Sequence, residues 1–113
     1  MNNPKLIERM VDNMFQGQRF VTRGVLNSVP IGIQAFLWSL IDNLVSQHQV
    51  ELDYLQVFEL KSANGNGQKI IHRQEVPAYW AEYVFDNVKK PLIVKLYVID
   101  DGTYCTMCLP EER

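Results

Sequence analysis

The chain has 113 residues, 47% of them hydrophobic and 21% charged, with a formal net charge of −2. That is one domain with enough apolar content for its own core, which excludes wholesale disorder. Eleven Lys and Arg against thirteen Asp and Glu exclude a general basic coat for phosphate backbones. The balance is uneven: residues 1–50 carry four basic and three acidic groups, residues 51–113 seven and ten. An acidic surplus in the second half suits a basic protein surface better than DNA, although an ordinary solvated face carries the same signature. No apolar run reaches the roughly 18 residues of a membrane-spanning helix. Met1–Phe15 contains Glu8 and Asp12 and does not read as a signal peptide, so the two cysteines are expected reduced in a cytoplasmic protein.

In chain order, Leu6, Ile7, Met10, Val11, Met14 and Phe15 recur at helical spacing, predicting a short amphipathic helix over residues 1–15. It either docks on the core or serves as a detachable recognition helix. Arg19–Arg23 alternates as a strand closed by Gly24. Ser28 caps and Pro30 opens the longest helix, Pro30–Gln47, whose stripe is Ile33, Phe36, Leu37, Leu40, Ile41 and Leu44. Glu51–Lys61 and Gln68–Glu75 form a hairpin around Ala63-Asn64-Gly65-Asn66-Gly67, because repeated Asn-Gly tolerates positive φ. Pro77 interrupts pairing, and the aromatic run Ala78–Phe85 fits a strand or a helical turn. Leu92–Ile99 and Thr103–Leu109 form a second hairpin around Asp100-Asp101-Gly102. The expected fold is α+β: an antiparallel sheet of four to five strands packed on one long helix, with the short N-terminal helix extra and a single domain over 19–109.

Chemistry is sparse. Cys105 and Cys108 match a C-x-x-C spacing, but inside a strand residues three apart face opposite ways, so both read as structural. No second pair completes a zinc set, and no cofactor is expected. His48 lies at the end of the long helix. His72, on a hairpin strand, needs an acid such as Glu59 or Glu75 and a pocket to do acid–base work. The Gly65/Gly67 pair is turn chemistry and opens no helix. Surface groups remain: Arg19 and Arg23 flanking a strand, Lys89-Lys90, and the interface-type aromatics Tyr79, Trp80 and Tyr83.

The blocks Arg19-Phe20-Val21-Thr22-Arg23-Gly24, Phe36-Leu37-Trp38-Ser39-Leu40-Ile41-Asp42, Leu52–Leu60, Gln68-Lys69-Ile70-Ile71-His72 and Gln74-Glu75-Val76-Pro77 occur in order. Together they resemble the small proteins of the family "domain of unknown function 960", over about residues 15–109. The resemblance implies a cytoplasmic protein of Gram-positive bacteria and their mobile elements, with no established enzymatic activity and hence no catalytic residues to carry over. That company implies an anti-defence role: a non-enzymatic, protein-binding inhibitor, most sharply an anti-CRISPR protein acting on a Cas9-type nuclease or its guide-RNA complex. Asp53, Glu59, Glu75, Asp100 and Asp101, with Tyr79, Trp80, Arg19 and Arg23, are the candidate partner-binding residues. The alternative is a nucleic-acid-binding accessory module using Arg19, Arg23, Lys89 and Lys90.

Overall fold

A computed structural model describes residues 14–113. Six strands build one sheet in the order β1-β6-β5-β2-β3-β4. They are β1 (Gln18–Val21), β2 (Leu55–Ala63), β3 (Gly67–Gln74), β4 (Tyr79–Asp86), β5 (Val94–Asp100) and β6 (Tyr104–Cys108). Two α-helices, α1 (Arg23–Ser28) and α2 (Ile31–Gln47), follow β1, and a 3-10 turn, Pro110–Glu112, follows β6.

This corrects the expected architecture. The sheet is mixed and six-stranded, because β1 pairs parallel with β6, Arg19 opposite Cys105 and Val21 opposite Met107. Counting crossover helices between neighbouring segments misses this pair, since its partners lie at opposite ends of the chain. The rest is antiparallel and local: β2 pairs with β3 and β5, β3 with β4, and β5 with β6. The aromatic run, open between strand and helical turn, is the edge strand β4.

The predicted strand over Arg19–Arg23 also ends early. Thr22 is an N-cap whose hydroxyl accepts from Val25 N (3.4 Å), so Arg23 and Gly24 begin α1. Gly24 is legible as a strand breaker, but it serves a helix start. The long helix lies where its stripe predicts and ends at His48, in the left-handed region at φ 53°. The N-terminal helix falls mainly outside the described residues. Met14 and Phe15 are a turn, with Phe15 at φ 59° and buried.

Side chains alternate across a pleated strand, so the register assigns each residue to a face. Against α2 stand Met107 and Cys105 from β6, Leu96 and Val98 from β5, Phe58 and Leu60 from β2, and Ile70 from β3. With Leu37, Leu40 and Ile41 of α2, Val25 and Val29 around α1, and Phe15, these form one buried cluster. Phe36 of α2 meets Tyr83 and Phe85 of β4 edge-on, ring centroids 5.7 and 5.1 Å apart. The other face of the sheet carries no helix among the described residues.

The ends of the sheet are sewn by turn chemistry. Gly65 (φ 78°) and Gly102 (φ 98°) take the left-handed positions of the two hairpin turns. Glu112 accepts from Thr22 Oγ1 (2.5 Å), Gly24 N (3.0 Å) and Leu109 N (2.9 Å), tying the 3-10 turn to the start of α1. These bonds, the Thr22 hydroxyl foremost, hold its carboxyl below the usual range.

Candidate interaction surface

The residues that sequence reasoning marks for chemistry have structural work. His72 is fully buried, its ring stacked on Phe58 at 4.4 Å and edge-on to Tyr79 at 5.5 Å. Its Nε2 lies 2.7 Å from Gln56 Oε1. Gln56 spends its own N–H groups on Gln74 Oε1 (2.7 Å) and the Asp53 carbonyl (2.9 Å). The amide oxygen is therefore an acceptor, which fixes the Nε2–H tautomer of His72. Gln74 in turn donates to the carbonyls of Glu51 and Pro77, both at 2.8 Å. The network pins the loop before β2 to the β3–β4 turn. Burial lowers the His72 pKa to about 4, so the ring stays neutral. Neither Glu59 nor Glu75 bonds it, and the surface hollows, one of them beside Glu59, are lined without His72.

Cys105 and Cys108 are free, buried thiols, and burial raises both pKa values. Among the described residues, no three His, Cys, Asp or Glu side chains converge as a metal set. The hollows are shallow. One of about 240 Å³ lies past the end of α2 beside His48 and Leu52. Another, of about 470 Å³, lies over β1 and β6 beside Phe20, Tyr104 and Thr106.

Four of the five candidate acids gather at one end of the sheet. Asp53 precedes β2, Glu75 follows β3, Asp100 ends β5 and Asp101 follows it. Asp100 N bonds the Tyr54 carbonyl (2.9 Å), and Val76 N bonds Asp53 Oδ2 (3.2 Å), so this end is continuous. Most of these carboxylates are also turn caps. Asp53 Oδ1 accepts from Leu55 N (3.2 Å). Asp100 accepts from Phe15 N and Gly102 N, both at 2.8 Å. Asp101 accepts from Tyr104 N (3.0 Å) and Thr103 N (3.1 Å), which lowers its pKa. Glu59 stands apart, mid-sheet, bridged to Lys61 (3.4 Å) and Arg73 (3.3 Å). Partial burial would raise its pKa, but these two cations carry it below the usual value.

Arg19 and Arg23, expected to flank one strand, lie on different elements. Arg19 faces α2, binds both carboxylate oxygens of Asp42, and lies 4.7 Å from the Trp38 ring centroid. Arg23 sits exposed in the first turn of α1. Tyr79 and Trp80 also part company: Tyr79 turns to His72, whereas Trp80 opposes Arg73 on the other face and is 59% exposed.

That other face is the surface that sequence reasoning misses. Phe20 and Tyr104 form an edge-to-face pair at 5.5 Å over β1 and β6, and both are more than two-fifths exposed. Lys95 lies 5.7 Å from the Tyr97 ring, and Arg113 reaches the rings of Tyr97 and Tyr54. Lys69 bridges Glu82 at 3.2 Å. Trp80 and Val84 close the face at the rim, with Val84 52% exposed. Strand alternation in β2, β3 and β4 encodes this face; only the absence of a second covering helix among the described residues leaves it open.

The family model described as Staphylococcal protein of unknown function (DUF960) matches residues 18–112. The chain belongs to that family. The match spans β1 through the 3-10 turn, so the whole mixed sheet lies within it. No curated protein matches the chain. Among solved structures it is similar to a protein of unknown function from Enterococcus faecalis, at 23% identity and a TM-score of 0.75, covering 87% of this chain and 92% of that one. That likeness shows the fold of the family member.

Proposed function

We propose that this family member is a non-enzymatic binding module that works by contact with another protein, through the open face of its sheet. The observation that carries this reading is the placement of exposed aromatics. Phe20, Tyr104 and Trp80 stand on the uncovered face, while His72, the strongly perturbed base, is sealed in the core. Aromatics among ion pairs are the composition of interface anchors. The acidic end of the sheet adds steering toward a basic partner. The narrower form of the proposal follows from the mobile-element company that the family resemblance implies: an anti-CRISPR inhibitor that meets a Cas9-type nuclease, with or without guide RNA, in the cytoplasm.

Size-exclusion co-migration of the purified protein with a Cas9-type nuclease, paired with a cleavage assay, tests the narrow form. Complex formation and slowed cleavage are expected, both reduced by Trp80→Ala with Tyr104→Ala; no complex and undiminished cleavage reject it. A second reading draws on Lys61, Lys69, Arg73 and Lys95, which share the open face with Tyr97 and Trp80, as single-stranded nucleic-acid surfaces do. Glu59 and Glu82 already engage three of those cations, so the surplus charge is small. A gel shift that weakens steeply with salt supports this reading, and absence of a shift at low salt removes it.

A further inference from the structure

Among the described residues the sheet has two unpaired rims, β1 and β4, and they are unlike. β1 is four residues long, and its Arg19 is held by Asp42 and the Phe15 carbonyl. β4 is eight residues long and contains neither proline nor lysine. Its register with β3 runs unbroken from Gly67 opposite Asp86 to Gln74 opposite Tyr79, so no bulge twists the edge away. An edge strand leaves half its N–H and C=O groups pointing outward, and proteins usually blunt such edges with proline, lysine, bulges or brevity. β4 has none of these, and Glu82 and Asp86 are the only charges along it.

Both sides of this rim carry exposed apolar side chains. Trp80 and Val84 flank it on the open face, and Phe85, 40% exposed, flanks it on the helix face. Its charges are both acidic: Glu82, bridged on its inner side to Lys69 of β3, lies between Trp80 and Val84 on one face, and Asp86 ends the same row. A second copy paired here would bring two acidic rims together, and like charges on neighbouring strands destabilise the pair. A basic strand meets no such conflict.

Resting on the reading of the protein as a contact module, we propose that β4 is a strand-addition site for an extended segment of a protein partner. That segment places a Lys or Arg opposite Glu82, with small or β-branched side chains over Trp80 and Val84. Its backbone supplies the affinity by continuing the sheet, and the basic side chain supplies the selection.

A fluorescein-labelled heptapeptide, Arg-Val-Thr-Val-Arg-Ile-Thr, tests this by fluorescence anisotropy against the full chain. Saturable binding is expected, lost when alternate peptide amides are N-methylated on the bonding edge. Glu82→Lys is expected to weaken it about tenfold, and a Glu-for-Arg peptide to rescue that variant. Hydrogen exchange should slow at amides of Tyr79–Asp86. No binding at about 1 mM peptide, binding that survives N-methylation at either set of alternate amides, or protection confined to other strands overturns the proposal. Concentration-dependent dimerisation that competes with the peptide assigns the rim to a second copy and overturns it too. A protein partner that binds through Phe20 and Tyr104 while the peptide does not bind leaves the contact module standing and removes strand addition alone.

Discussion

Acidifying the solution should unfold this protein through one buried ring. In the unfolded chain His72 titrates near its ordinary 6.5, whereas in the fold its pKa is about 4. Between those values the unfolded state binds the extra proton, so stability rises with pH across this window and falls as pH is lowered through it. The loss is about 2 kcal/mol at pH 5 and about 3 kcal/mol at pH 4, relative to pH 7, since each tenfold drop in proton affinity is worth about 1.4 kcal/mol. Protonation cannot be absorbed locally, because Nδ1 has no hydrogen-bond partner among the described residues and Phe58 covers the ring. Lowered carboxylates such as Glu59 also lose their contribution at acid pH, so the measurement must be a difference. Urea denaturation followed by tryptophan fluorescence at several pH values, for the wild type and His72→Gln, isolates the contribution of the ring. The variant is less stable at pH 7, having lost the ring stack, but its stability should fall by about 3 kcal/mol less on going to pH 4. Parallel pH profiles for the two proteins, or a His72 imidazole NMR resonance (the one missing from His72→Gln) titrating near 6.5, would refute this account.

Three further outcomes follow from the packing. Leu96→Ala empties a fully buried position between β2 and β6 and should cost about 2–5 kcal/mol in chemical denaturation, with the fold retained. Gly17→Ala places a Cβ 2.4 Å from the Thr103 carbonyl oxygen, so the chain entering β1 must shift, and thermal unfolding should show a loss of about 1–3 kcal/mol. Glu112→Gln removes the charge that Thr22 and Gly24 donate to. Faster hydrogen exchange at the Gly24 and Leu109 amides should result, and wild-type protection there should fade as pH drops through the lowered Glu112 pKa.

The parts of the fold legible in the sequence are those fixed by neighbours. The stripe from Ile33 to Leu44 predicts α2, and Asn64-Gly65 and Asp101-Gly102 predict the two hairpins, because a left-handed turn needs those residue types locally. The β1–β6 pair is hidden because its contacts join residues more than eighty positions apart, such as Arg19 and Cys105. α1 is hidden by Thr22, which fits a strand as well as a cap. The site is less legible still. Asp53, Asp100 and Asp101 look free for a partner in sequence, yet their oxygens are taken by turn amides that only the folded backbone brings near. Trp80 stands out in the sequence, but the surface around it does not, since openness is a property of what fails to cover a face.

The parallel pairing of β1 with β6 also bears on the order of assembly. Synthesis delivers β1 first among the described strands and β6 last, yet β6 is the interior strand that joins β1 to the rest of the sheet. A nascent chain stopped before Tyr104 holds a hairpin-built core of β2 to β5 whose β5 edge is bare, and β1 has nothing to pair with. Completion of this sheet therefore waits for β6, and until that strand is made the chain offers a second, temporary edge to whatever else is in the cell.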